Sequence, residues 1–474
     1  MRSKLRILFV LRWSYIFTYH ESTIRELCKR GYDVEVLFDE VHSAGDAGTA
    51  VMAAVSDHVN LSWGWSLRRI GIWRKPVFVA RELLTYASYL GRPEQDEYYI
   101  KRWEKYLPAY IQRLVTSWIG RLFLKSKLGR WVLKKFIEIV PSDRAICASL
   151  REWNPDVVIA SPSNMKYSEE IEYVKAAKTM GIPTVIAVLS WDNLTTKGLL
   201  HETPAATLVW NRAQQAEAVS IHDIPKDMTV VTGAPFLDKW FDDVPVMEEK
   251  TFRRLVNIDH DTPFVLYLGS SANIARNESW LVAALASRLA RSNHADIKIL
   301  ARAHGGNSDI FEELSMSNVT VWDRSESLPD SRESLMQFAA ALRYSVCAVG
   351  LNTTAMVDAL LMDSPVITLL VPEYADTNAS KAVHFSYLLD AGVYLKVKDT
   401  DEFMAGLELI LQGKDLTQVE RQQFKLDFIR PYGMDISAGS VAATAIEMTA
   451  KRRPPSEIGQ IVSKRRDGKG GNLL

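Results

Sequence analysis

Three cysteines in 474 residues, Cys28, Cys147 and Cys347, stand far apart with no Cys-x-x-Cys or Cys/His ligand spacing. That excludes a disulfide framework and a structural zinc site, and a reducing cytoplasm suits such thiols. No apolar run reaches the roughly 18 to 20 residues that a bilayer-spanning helix needs. The opening MRSKLRILFVLRWSYIF carries Arg6 and Arg12 within its apolar stretch and no small-residue cleavage site, so Leu5 to Leu11 reads as a buried first strand and not as a signal peptide. Any membrane contact is therefore expected to be peripheral, on the inner face of the cell membrane. Net charge is also missing: 57 basic side chains balance 57 acidic ones, which leaves no electrostatic footprint of a nucleic-acid binder. Neither GxxxxGK[ST] nor a GxGxxG after the first strand occurs, so P-loop NTPase and dinucleotide-dehydrogenase readings lose their support.

What the chain does have is length for two cores and apolar runs that alternate with helical segments. Strand (5–11), helix (about 18–29), the break Arg30-Gly31 and strand (34–38) make a βαβ opening, and short apolar runs resume at 156–160, 184–189, 207–210 and 229–231. A second series runs 263–269, 297–301, 319–322, 346–349, 365–370 and 393–397. The expected class is α/β, with two Rossmann-like, doubly wound parallel domains that meet at a ligand cleft beyond the carboxyl ends of their strands. The expected boundaries are 1–240 for the first domain, 241–262 for a linker, 263–433 for the second domain, 434–450 for a closing helix and 451–474 for a disordered basic tail.

Residues 61–145 interrupt the first series as a helical insertion. Within 61–140 there are 16 Lys/Arg against 6 Asp/Glu, and six Trp. Two readings stay open: Trp residues that pack on the first domain, or a membrane-interface platform for a lipid-linked acceptor, since Trp with Lys/Arg suits the headgroup region. The basic tail 451–474 is either solvated or a second lipid contact.

In VGLNTTAMVDALLMDSPVITLL (349–370) a strand ends at Gly350, the polar turn Asn352-Thr353-Thr354 follows, and a helix begins. A helix N-terminus with hydroxyl donors suits a diphosphate, and Asp358, one turn on, suits ribose hydroxyls. The alternative is a plain N-cap and a solvated Asp. The string resembles nucleotide-sugar-dependent GT-B transferases, whose second domain carries a small-polar turn, an acidic helix residue and Gly-x-Pro-Val-Ile; here Asp358 stands for the more common Glu, and Asp363 for the Gly. VVTGAPFLDKW (230–240), FVLYLGSSANIARNE (264–278) and ILARAHGGN (299–307) are similar to segments of GT-B transferases and of UDP-N-acetylglucosamine 2-epimerases, with Gly305 in place of a usual Pro. The closing FIRPYGMDISAGS (428–440) resembles CDP-glycerol glycerophosphotransferases of the same fold.

The resemblance implies a donor, UDP- or CDP-linked, held by Ser270, Ser271, Arg302, His304, Asn352, Thr353, Thr354 and Asp358, with Glu373 and His384 beside the sugar. It implies no cofactor and no metal, because helix N–H groups and cations can meet the charge of a leaving diphosphate. A base for the acceptor hydroxyl is sought in the first domain, among His20 and Glu21 of FTYHESTIREL and Asp192 of SWDNLTTKG. Helix capping and an Asx-turn are the plain alternatives. The expected activity is sugar transfer to a glycan or lipid-linked acceptor in bacterial surface polysaccharide or glycolipid assembly. Glycerophosphotransfer, UDP-sugar 2-epimerisation and a silent binding or scaffold role are the rivals.

Overall fold

The computed structural model describes residues 4–92, 97–241, 244–272, 274–322, 331–351, 353–374 and 383–466. They fall into two compact units: 1–238 with 426–474, and 239–425.

The first unit is built on a parallel sheet of β1 (Arg6–Leu11), β2 (Asp33–Phe38), β3 (Leu61–Trp65), β4 (Val157–Ser161), β5 (Thr184–Ala187), β6 (Ala206–Val209) and β7 (Thr229–Val231), in the order β3-β2-β1-β4-β5-β6-β7. β1 and β4 read as unbroken apolar runs because helices cover both faces of the sheet. In chain order the helices of this part of the unit are α1 (Phe17–Lys29), α2 (Thr49–Asp57), α3 (Arg74–Leu90), α4 (Glu97–Tyr106), α5 (Ala109–Thr116), α6 (Trp118–Lys125), α7 (Lys127–Ile139), α8 (Arg144–Trp153), α9 (Glu170–Thr179), the one-turn α10 (Asn193–Thr196) and α11 (Arg212–His222). The strand order reverses between β1 and β4, so their carboxyl ends flank the switch point where open α/β sheets bind ligands.

The insertion starts later than its composition indicates, since residues 61–65 form β3, paired with β2, and Trp63 and Trp65 pack edge to face there. Trp103 is buried beside Tyr89 and Tyr106, in a small core of α3 to α6. For these three Trp the packing reading holds.

The second unit has the parallel order β10-β9-β8-β11-β12-β13, made of β8 (Phe264–Leu268), β9 (Lys298–Arg302), β10 (Val319–Val321), β11 (Ala348–Gly350), β12 (Val366–Leu369) and β13 (Leu395–Val397). Its switch point lies between β8 and β11. Its helices are α12 (Glu249–Leu255), α13 (Ser279–Ala290), α14 (Arg332–Tyr344), α15 (Thr354–Leu361), α16 (Val383–Asp390), α17 (Thr400–Leu411) and α18 (Gln418–Phe424). The expected linker is in part α12, whose Phe252 is buried against Phe264 and Trp322.

After residue 425 the chain returns to the first unit as α19 (Ala438–Ala450) and α20 (Ile458–Arg466). The expectation of a disordered tail from 451 is corrected to residue 466: α20 is helical, and Ile458, Ile461 and Val462 are buried in the first core. Three aliphatic side chains on one face outweighed a basic, Pro/Gly-rich composition. Residues 467–474 lie outside the described set. Asp238 fixes the return, its carboxylate accepting from Arg430 (2.8 Å), from the backbone N–H of Ala438 (3.0 Å) and Gly439 (2.8 Å), and from Ser22 Oγ (2.7 Å). A carboxylate at the first turn of α19 also suits that helix dipole. Gly439 lies so close to Ser22 of α1 that a Cβ would collide with its side chain.

Candidate functional site

Each switch point gathers polar side chains just beyond the ends of largely apolar strands. In the first unit β1 ends on Leu11, and Arg12 follows as a buried guanidinium. Its Nη2 lies 3.0 Å from His42 Nε2, while Nε and Nη1 have no hydrogen bond. His42 is held in turn by Asp39, which Arg68 grips through two bonds of 2.6 and 2.7 Å. Arg12 also bears electrostatically on Glu82 of α3 and Glu170 of α9, both buried and both pushed up to about 7 by that burial. Neither Glu170 oxygen has a hydrogen-bond partner, nor does Glu82 Oε2 or the Oγ of Ser163, just beyond β4. The sequence reading missed this group. Its one signal was an Arg directly after an unbroken apolar strand.

The three candidate bases part company. His20 lies on the buried stripe Phe17, His20, Ile24, Leu27 of α1, at 5% exposure, with its ring 6.3 Å from that of Phe9. Ser161 Oγ donates to the Ala187 carbonyl (2.8 Å), and Nε2–H of His20 donates to Ser161 (2.9 Å). Burial takes the imidazole down to about 4. The cavity beside it holds about 20 Å³, room for a water and not for a sugar. Glu21 is paired with Arg25 one turn on, at 2.7 Å. Asp192 stands beyond β5, accepts from Ser190 Oγ (2.5 Å) and Thr196 Oγ1 (2.9 Å), lies 3.2 Å from Lys197 Nζ, and keeps 23% of its side chain exposed. Glu21 is the more exposed at 31%, but it lies on α1, whereas Asp192 is accessible just beyond a strand's carboxyl end.

In the second unit the strand ends β9, β8, β11 and β12 stand side by side. They bring together Arg302 and His304, then Ser270 and Ser271, then Thr353 and Thr354, then Glu373. Thr353 has extended backbone and its hydroxyl makes no bond to the first turn of α15; Thr354 is exposed. Asn352 lies outside the described residues. His304 Nδ1 accepts from the Gly306 N–H (2.9 Å), which leaves Nε2 to carry the ring's proton, and burial lowers its pKa. The Arg302 guanidinium is buried over the Phe338 ring, 4.2 Å from its centre.

Other candidates are tied up internally. The backbone N–H of Ser270 donates to Glu278 Oε1 and its side chain is buried; Glu278, which sequence reasoning passed over, also accepts from Tyr267 (2.8 Å) and is pushed up to about 7 by burial. Asp358 is buried on a helix whose residues 356–361 are all covered. Its Oδ1 accepts from the Trp240 indole (2.7 Å), which holds it within the unit, and burial raises it to about 6. Glu373 is exposed on a one-turn helix, and His384 is half-buried in α16. Among the described residues no three His, Cys, Asp or Glu side chains are grouped to hold a metal ion.

No family model matches the sequence, and no curated protein matches it. Solved structures do. A UDP-N-acetylglucosamine 2-epimerase described as putative, from Listeria monocytogenes, aligns over 96% of this chain and 98% of its own at a TM-score of 0.53 and 10% identity. The Neisseria meningitidis epimerase, bound to UDP-N-acetylglucosamine, aligns over 95% and 100% at 0.52 and 11%. That from Methanocaldococcus jannaschii aligns over 90% and 100% at 0.51 and 11%. The fold is GT-B. In GT-B terms the first unit carries Arg12, Glu82, Glu170 and Asp192, and the second carries His304 and the first turn of α15. At such identities the likeness is one of architecture, and it bears on no single side chain.

Proposed function

We propose that this GT-B protein is an enzyme of nucleotide-sugar chemistry that transfers the sugar of a UDP- or CDP-linked donor to an acceptor hydroxyl. The observation that carries the donor half is the start of α15 at the β8/β11 switch point, where Thr353 leaves the first turn without a side-chain cap and His304 stands one strand further on. N–H groups and a dipole directed at a leaving diphosphate lower the barrier by meeting charge as it develops. His304 Nε2–H adds one donor. In the acceptor half Asp192 takes the hydroxyl proton, because it keeps solvent access at a strand end. The acceptor is a glycan or a lipid-linked carrier in bacterial surface polysaccharide or glycolipid assembly.

A second reading, 2-epimerisation of a UDP-sugar, is favoured by the likeness to three UDP-N-acetylglucosamine 2-epimerases and by two buried carboxyls near neutrality beside Arg12. Incubation with UDP-N-acetylglucosamine in the absence of acceptor distinguishes the two, since only epimerisation then converts the sugar. For the donor site, His304→Ala is expected to weaken UDP binding by calorimetry about tenfold or more, the worth of a hydrogen bond to a charged group. Asp192→Asn is expected to leave UDP binding intact while slowing transfer at least about a hundredfold. Unchanged UDP affinity in His304→Ala overturns the donor site, and unchanged transfer in Asp192→Asn overturns the base.

A further inference from the structure

Helices α5, α6 and α7 bury one thin edge and turn their apolar faces outward. In α6 Leu124 is buried while Trp118, Ile119, Leu122 and Phe123 are exposed, Trp118 by 74%. In α7 Ile137 is buried while Leu128, Trp131 and Val132 are exposed, Trp131 by 56%. In α5 Val115 is buried while Tyr110 and Leu114 are exposed. A globular helix normally does the reverse, and an exposed apolar patch of this extent marks an interaction surface.

The three helices are joined by a repeated device. Ser117 and Ser126 each donate to the carbonyl three residues before (Leu114, Phe123) and accept from the N–H three residues after (Gly120 at 3.1 Å, Gly129 at 2.9 Å). A Cβ on Gly120 would strike the Leu114 carbonyl, and one on Gly129 the Phe123 carbonyl. Glycine is what permits such sharp corners, and the corners hold the exposed faces in a fixed array.

Charge selects the occupant. Residues 109–139 hold seven Lys/Arg against a single acid, Glu138. Arg113, Lys125 and Lys127 are exposed and make no ion pair among the described residues. Lysine is depleted in protein–protein interface cores, whereas Trp, Phe and Leu interleaved with Lys/Arg suit the headgroup layer of an anionic bilayer. No helix among the described residues is long and apolar enough to cross a membrane, so the contact lies in the plane of the surface.

We propose that α5, α6 and α7 form a seat by which the protein lies on an anionic lipid bilayer. This narrows the lipid contact to 109–139 and releases the 451–462 segment, whose apolar side chains are in the core. The inference stands whichever reaction the enzyme performs. It is tested by co-sedimentation of the full chain with phosphatidylcholine vesicles and with vesicles that also contain phosphatidylglycerol, the thermal midpoint serving as the folding control. The wild type is expected to bind the anionic vesicles, and less so as salt is raised. Leu122→Glu with Trp131→Glu is expected to cut binding at least about tenfold, and Lys125→Glu with Lys127→Glu about fivefold for each cation removed, both at an unchanged midpoint. Absence of wild-type binding, or binding indifferent to both pairs, overturns the proposal. So does a self-association that Leu122→Glu with Trp131→Glu abolishes in a protein that ignores vesicles.

Discussion

Burial shifts His20 down and Glu170 up, and the two contribute to stability with opposite pH dependence. The folded imidazole sits at about 4 against an unfolded value near 6.5. Its neutral burial therefore supports the fold above pH 6.5, and this support is lost as pH falls towards 4; His222, also at about 4, adds to the same limb. Glu170 and Glu82 sit at about 7 against an unfolded value near 4.3. Their protonated form supports the fold fully below 4.3, and the support is lost as pH rises through 7. Two imidazoles and two carboxyls therefore oppose one another between pH 5 and 7, and urea midpoints at pH 5, 7 and 8.5 should differ little. Glu170→Gln removes one of the opposing contributions and should raise stability at pH 7 relative to pH 5 by an amount of order 1 to 3 kcal/mol, and an unaltered difference would reject the assignment. At this scale the sequence discloses residue type but not face. His20 and Asp192 looked equivalent as bases, and only the side of α1 on which His20 falls separates them. Asp358 matches a motif by position, yet its carboxylate bonds Trp240, a contact with no local signature.

Asp238 shows how an element is secured. Arg430 and the first turn of α19 point donors at one buried carboxylate. Asp238→Ala leaves that guanidinium and those N–H groups without an acceptor, and is expected to cost about 3 to 5 kcal/mol in urea unfolding. Lys101→Ala, which removes an exposed partner of Glu97, should change stability by less than about 0.5 kcal/mol. Equal effects would mean that the network contributes nothing. The strands were legible in advance because buried parallel strands are continuous apolar runs, and the VTGAPFLD and DISAGS strings stood out as motifs. That they bond to one another across 200 residues was not legible. The Ser-x-x-Gly corners escaped notice because a nine-residue step lies below the periods at which repeats are sought, and no hydrophobic period marks them.

At the scale of the whole molecule, the first core is assembled from both ends of the chain: Leu5, Phe9 and Val36 share it with Val441, Ile446 and Val462. The second unit is one unbroken stretch, 239–425. Expressed alone, 239–425 is expected to unfold cooperatively in urea, whereas 1–238 alone should lack a cooperative transition, having no α19 to cover α1. A well-folded 1–238 would show that the returning segment only decorates a complete core. The two-unit plan and the doubly wound sheets followed from the rhythm of apolar runs, and the boundary at 238 did not, because a chain that leaves one core and comes back has no compositional break at the crossing.

That return has a consequence for how the protein is made. Val462 leaves the ribosome 224 residues after Asp238, which at about 5 to 20 residues per second is roughly 11 to 45 s. Within that interval the second unit emerges and is complete at residue 425, while the first still waits with an uncovered apolar face. The usual N-to-C order of domain completion is thereby inverted, and the nascent chain presents chaperones with a long-lived target whose duration is set by the length of the unit in between.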